Sequence, residues 1–330
     1  YGPLKVYDAI ERQNPSAKNI LVMGPWFHGA WARTDGEKLG YMKFGSKTAE
    51  YYRENIEKRF FNAYLKDGED PKLPEAILFD AGAKEWRTFE AWHPKNAVEK
   101  KLYFHANGKL LFEPPTDTKG FDEYISDPNK PVPYTNEIRI DRSVEYMIED
   151  QRFAARRPDV LVYQTDVLTE DVTLAGNIFA NLFVSSTGTD ADFIVKLIDV
   201  FPDTARDDYT DKPLGRRMFP APVRLGGFQK LVRWEVMRAR YRKSYEKPEP
   251  LKPNQVEQVK FELMDVLYTF KKGHRIMVQV QSSMFPLIDR NPQKFVDIYK
   301  CSDDDFQKAT HRVYRTAKAA SHLSIKVLPN

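Results

Sequence analysis

The sequence predicts a piece of an α/β domain followed by a complete all-β domain of the sandwich or jelly-roll kind. Three observations carry that reading. The one long helical pattern lies within the first 72 residues, and a period-two alternation takes over after Pro71 and Pro74. Short alternating runs are then separated by turn chemistry such as Ser186-Thr187-Gly188, Lys272-Gly273 and Asn291-Pro292. The expected division is 1–72 and 73–330.

Residues 4–11 suit a first helix. Ile20-Leu21-Val22-Met23-Gly24 is a continuous apolar run ending in Gly-Pro, which reads as a buried strand of the parallel kind followed by a loop. Ala49, Tyr52, Ile56, Phe60 and Ala63 recur every three or four residues, on one face of a helix. Glu54 and Lys58 form an i,i+4 pair of the favourable orientation, and Gly68 suits a C-terminal cap. Strand, loop and helix in that order are α/β grammar. Beyond Pro74, alternation marks Leu102/Phe104, the run 178–184, then Phe193/Val195/Leu197 and Val259/Phe261/Leu263. It continues in Ile276/Val278/Val280 and Leu323/Ile325/Val327. Residues 127–134 hold three prolines and read as an extended loop.

Composition narrows the function. In 330 residues, 51 basic and 47 acidic side chains leave a formal charge of only +4, which argues against a nucleic-acid binder. With one cysteine, Cys301, no intrachain disulfide framework or zinc ribbon can form. No apolar run approaches the ~18 residues of a membrane helix, so no membrane partner is expected. The six histidines do not pair at metal-ligand spacing, and no phosphate loop, dinucleotide fingerprint or Gly-x-Ser-x-Gly elbow occurs. No metal or other cofactor is expected. The chain opens Tyr1-Gly2-Pro3 without an initiator Met, so we expect a processed or partial chain, with any signal peptide in the missing part.

One segment stands out for chemistry: Gly24-Pro25-Trp26-Phe27-His28-Gly29-Ala30-Trp31. His28 follows the end of the expected strand, where open α/β sheets place ligand-binding loops. Gly24 and Gly29 permit a close turn, and Trp26 and Trp31 flank the imidazole with rigid apolar walls. A general base needs a positioned imidazole in a partly dry pocket, and this context supplies one. A loop histidine packed on tryptophan accounts for the same residues, because one histidine makes no site.

The segment resembles the catalytic-histidine loop of the serine hydrolase family that includes cocaine esterase, α-amino-acid ester hydrolases and glutaryl-7-aminocephalosporanic acid acylases. X-prolyl dipeptidyl-peptidases are more distant relatives. The Gly-Pro-Trp-x-His-Gly pattern at 24–29 is reinforced by 51–68, Glu149-Asp150-Gln151-Arg152, 187–192, 195–202, 273–286 and Arg290-Asn291. The resemblance thus extends over nearly the whole chain. It implies an α/β-hydrolase fragment joined to an all-β jelly roll (a β-sandwich of the galactose-binding-like kind). It also implies a Ser-Asp-His triad in that chain order, of which only His28 falls here. The nucleophile and acid would lie upstream, in a missing N-terminal part of the same protein. Trp26 and Trp31 are then candidate pocket walls, though core packing suits both as well. The implied substrate is a small-molecule ester, amide or β-lactam-like compound. The same resemblance favours a secreted or periplasmic location and leaves a homo-oligomer open.

Other features have plainer readings. Asp35 is expected to be a solvated loop acid, and Ser16 and Ser46 lack a strained strand-to-helix context. Tyr1 rules out an N-terminal-nucleophile acylase. The cluster Arg233, Arg238, Arg240, Arg242 and Lys243 alternates in part with Val232, Trp234 and Val236, which suggests a solvated strand face. Asp190, Asp192, Asp199 and Asp303-Asp304-Asp305 lack EF-hand spacing and are expected at turns or on the surface. His274 and His311 are expected to be structural. The competing function is a jelly-roll binding module for carbohydrate or protein, and an X-prolyl dipeptidyl-peptidase-like aminopeptidase is the other enzymatic alternative.

Overall fold

The computed structural model describes residues 1–139, 141–213 and 220–329. The first helix runs Gly2–Gln13, with Pro3 in its first turn, where a missing N–H costs nothing. The apolar run after it becomes the strand Leu21–Met23, which pairs in parallel with Ala76–Asp80. Ala76–Asp80 pairs in turn with Glu85–Phe89, antiparallel, to close a three-stranded sheet. This sheet crosses the expected division at 72/73. Pro71 and Pro74 end the helical pattern, and the chain then returns to pair with the strand it left.

The long helix is a composite: Thr48–Tyr52, a π-helical turn at Arg53–Glu57, and Lys58–Leu65. Ala49 and Ile56 of the expected apolar face are buried, and Lys58 bonds Glu54 at 3.0 Å. Its end differs from expectation in one respect. The left-handed residue is Asp67, at φ 50°, while the N–H of Gly68 donates to the carbonyl of Asn62 at 3.2 Å.

Twelve strands form one hydrogen-bonded network around a single core. The long strand Val172–Ser186 has Glu257–Phe270 on one edge, and His322–Leu328 followed by Ala309–Thr316 on the other. Asp192–Val200 lies between Gln229–Arg238 and Arg275–Gln281. Leu182, Phe193, Leu197, Val259, Leu263, Val278 and Leu323 interdigitate in the core, as their alternation predicts. The outer face of Asp192–Val200 is covered too. There Lys196 is fully buried, donating to Gln151 Oε1 at 2.8 Å, and loss of hydration holds its ammonium down to about 7.

Two apolar clusters join the N-terminal residues to the sandwich. Leu4, Tyr7, Leu21 and Leu78 meet Ala175, Leu267 and Leu328, while Leu39, Met42, Phe44 and Phe79 meet Ile148 and Phe228. Lys5 adds an ion pair to Glu262 at 2.7 Å.

Apart from the exposed Lys243, the basic cluster at 233–243 is not a solvated face, and three acids expected at turns or on the surface are buried. The two features complete one another. Arg238 forms a two-pronged pair with Asp192 (2.9 Å each), and Arg240 pairs with Asp190 at 2.7 Å. Asn291 bridges both acids, at 3.1 and 2.8 Å. Arg242 holds Glu257 at 2.6 Å, and Asp199 takes the Tyr268 hydroxyl at 2.7 Å. Charge buried this deeply persists only when paired and hydrogen-bonded, which is the condition met here. Asp303–Asp305 remains a largely exposed turn, closed by a reciprocal cap between Ser302 and Asp305.

Candidate active site

The loop after Leu21–Met23 is built from both ends. A side-chain carbon on Gly24 would lie 2.4 Å from the Trp26 ring, so only glycine lets that ring fold back over the strand end. Trp26 is then fixed by a bond from Nε1 to Thr48 Oγ1 at 2.9 Å and by ring contacts with Tyr52 and Trp86, centroids 5.1 and 5.9 Å away. Gly29 takes φ 79° and opens the short helix Ala30–Arg33, reversing the chain next to His28. Arg33 Nη2 caps the His28 carbonyl at 2.9 Å. Beneath the loop, Arg53 at the start of the π-helical turn donates to the carbonyls of Trp31 (2.6 Å) and Thr34 (2.8 Å). The backbone carrying His28 is therefore held from two sides.

The imidazole itself is exposed, and among the described residues neither ring nitrogen has a hydrogen-bond partner. Trp31 stands edge-on to it, with centroids 6.0 Å apart. Trp26 does not flank it: its ring is committed to Thr48, Tyr52 and Trp86. Asp35 does not orient it either, because its Oδ1 accepts the backbone N–H of Glu37 at 3.1 Å.

The other five histidines are all engaged. His93 pairs with Asp265 at 2.8 Å, His274 with Asp199 at 2.8 Å, and His105 with the Glu113 carbonyl at 2.9 Å. His322 meets the Ala320 carbonyl at 2.7 Å. His311 is fully buried on Gln293 at 3.1 Å, and burial pushes it down to about 3. A poised base must be free to meet a nucleophile, and only His28 is. Among the described residues no group of three or more His, Cys, Asp or Glu side chains is placed to hold a metal ion.

The sequence reading missed a second polar constellation. Lys230 and Arg233 line an interior cavity between the N-terminal residues and the sandwich. The sequence pattern alone places Arg233 on a solvated face. Arg233 shares the inward face of Met237 by the strand's own alternation, and a β-bulge at Val232, invisible in the local pattern, brings Lys230 to that same face.

Residues 70–324 match the family model for the X-Pro dipeptidyl-peptidase C-terminal non-catalytic domain. Cocaine esterase of Rhodococcus sp. (strain MB1 Bresler) is 29% identical over 98% of this chain and 54% of its own. The crystal structure of an aminopeptidase from the marine sediment archaeon Thaumarchaeota archaeon superposes with a TM-score of 0.91 at 39% identity, over 100% of this chain and 53% of its own. A selenomethionine-labelled α-amino acid ester hydrolase does so with a TM-score of 0.89 at 38% identity, over 99% and 53%. The chain spans about half the length of these relatives. It belongs to the X-Pro dipeptidyl-peptidase C-terminal domain family, within the group that takes in cocaine esterase and α-amino-acid ester hydrolase.

Proposed function

We propose that this member of the X-Pro dipeptidyl-peptidase C-terminal domain family supplies the general base, His28, of a serine hydrolase that cleaves ester or amide bonds. The nucleophilic serine and the orienting acid come from an upstream half, and residues 1–72, with the strand Leu21–Met23, are the end of its α/β-hydrolase domain. One observation carries the reading. Of six imidazoles, the one on a glycine-built turn at the end of a parallel strand is the one left free. The names of the relatives, an esterase, an aminopeptidase and an ester hydrolase, support the same bond class.

His28 takes the proton of the serine hydroxyl as that oxygen attacks the substrate carbonyl, and returns it to the departing alcohol or amine. Water then repeats the cycle on the acyl-enzyme. Trp31, beside the imidazole, limits water on one side, and Trp26 stiffens the strand end from behind. The substrate is a small ester, amide or β-lactam-like acyl compound, with its selectivity set mainly upstream. No observation on this chain favours a stand-alone carbohydrate- or protein-binding module.

The test is His28→Ala in the longer protein. We expect kcat to fall by about a thousandfold or more with the fold unchanged, because members of a triad act as a unit. Retention of more than about a tenth of the activity would reduce His28 to a loop residue.

A further inference from the structure

A cavity of about 200 Å³ lies where the N-terminal helix and the parallel strand pair meet the sandwich strands Gln229–Arg238 and Glu257–Phe270. Much of its wall is apolar, including Trp26, Leu78, Trp92 and Leu267. Lys230 and Arg233 line it as well.

Their presence on one face needs an explanation, because residues three apart on a regular strand point to opposite faces. The register supplies it. Arg233 stands opposite Leu197, Leu231 opposite Ile198, and Lys230 opposite Asp199, leaving Val232 as an extra residue. Leu197 and Asp199 share a face, so the bulge turns both cations to that same face. Bulges re-aim side chains in this way and recur beside functional sites.

Neither cation has an ion-pair partner among the described residues. Lys230 is 6% exposed, yet its ammonium meets only the Ala81 carbonyl, at a long 3.4 Å, and the face of Tyr268, 5.0 Å from the centroid. Arg233 donates Nε to the Asp265 carbonyl at 2.8 Å, and its terminal nitrogens have no protein partner among the described residues. The nearby carboxylates have other partners, although Asp265 itself lines the cavity. Asp265 Oδ2 takes Trp92 Nε1 at 2.7 Å and His93 at 2.8 Å, and Asp199 holds Tyr268 and His274. Asp80 is taken up by the backbone and hydroxyl of Thr269. Burial lowers Arg233 and brings Lys230 down to about 8. Two under-neutralised cations in an apolar wall are costly unless a counter-charge enters.

We propose that this cavity binds a small monocarboxylate with an apolar body, its carboxylate held by Arg233 and Lys230 and its body packed on Trp26, Leu78 and Trp92. A guanidinium fork matches a carboxylate's two oxygens, and the apolar wall selects against a bare inorganic anion. His28 is not among the lining residues, and the inference does not depend on the role proposed for it.

The probe is phenylacetate, titrated calorimetrically into the full chain, with phenylacetamide and inorganic phosphate as controls. We expect saturable binding of the acid, binding of the amide weaker by about tenfold or more, and no competition from phosphate. Arg233→Gln and Lys230→Met should each weaken phenylacetate by about tenfold. Absence of saturable binding, equal affinity for acid and amide, competition by phosphate, or unchanged affinity in both variants would overturn the proposal. Should either variant fail to fold, the acid–amide comparison on the unchanged chain decides alone.

Discussion

The strand Asp192–Val200 has hydrogen-bonded neighbours on both edges and buries eight of its nine residues. The strand Leu21–Met23 has, among the described residues, a neighbour on one edge only and buries one of its three. The helices differ in the same sense. Lys58–Leu65 buries no residue and leaves Phe61 and Leu65 49% and 73% exposed. The sandwich is thus a finished packing unit, with the Asp190, Asp192 and Glu257 ion pairs inside it. The N-terminal region is finished only where it touches the sandwich, and its other edge and face are open. The free imidazole of His28 belongs to that unfinished side, whereas the engaged histidines belong to the finished one or its borders. A sheet edge and a helix face left open together are what an α/β sheet shows when further strands are to be added.

The difference between the two regions can be broken by substitution, most strongly in the sandwich. Asp192→Ala strands Arg238 and Asn291 in the interior and should cost about 3–5 kcal/mol, read by urea unfolding. A loss below about 1 kcal/mol would mean that the pair is not buried in solution. Leu197→Ala, in the strand covered on both faces, should cost near the top of the range of about 2–5 kcal/mol for such truncations. Leu21→Ala should fall near its bottom, about 2 kcal/mol, because one side of its strand is open. Equal losses at the two sites would erase the contrast.

A further effect is written in pH. Burial holds His311 at about 3 in place of the usual 6.5, so the unfolded chain takes up that proton first as pH falls. The stability it contributes is complete above 6.5 and is lost progressively as pH falls toward 3. His311→Gln should flatten the pH dependence of unfolding across that window, and an unchanged slope would exclude this histidine as its source. The smallest change is expected on the open helix face. Phe61→Ser and Leu65→Ser should shift stability by no more than about 0.5 kcal/mol, while lowering any self-association seen by light scattering.

The sandwich strands were legible because a half-buried strand prints its two faces as alternation. The pairing of strands across residues 72/73 was not. The partner of Leu21–Met23 lies beyond Pro71 and Pro74, and no local pattern records which strand a distant segment will join. The arginines at 238 and 240 looked solvated because their acids stand about fifty positions earlier in the chain, so the pairing exists only in the fold. Alternation also hid the outward burial of Lys196, since the segment that covers it is remote. His28 was the reverse case. Its glycines and tryptophans lie within eight residues of one another, so the loop could be read directly. That Trp26 turns away from His28, and that the other five imidazoles are tied, required the structure.

On the proposed function, His28 is a base whose nucleophile and acid come from an upstream half. Turnover of p-nitrophenyl acetate by the 330-residue chain tests it, alone and after mixing with the separately produced upstream half. We predict no turnover above an imidazole background for the chain alone. Saturable turnover should appear on mixing and be lost again with His28→Ala. Saturable hydrolysis by the chain alone, or full activity of the His28→Ala mixture, would contradict the account.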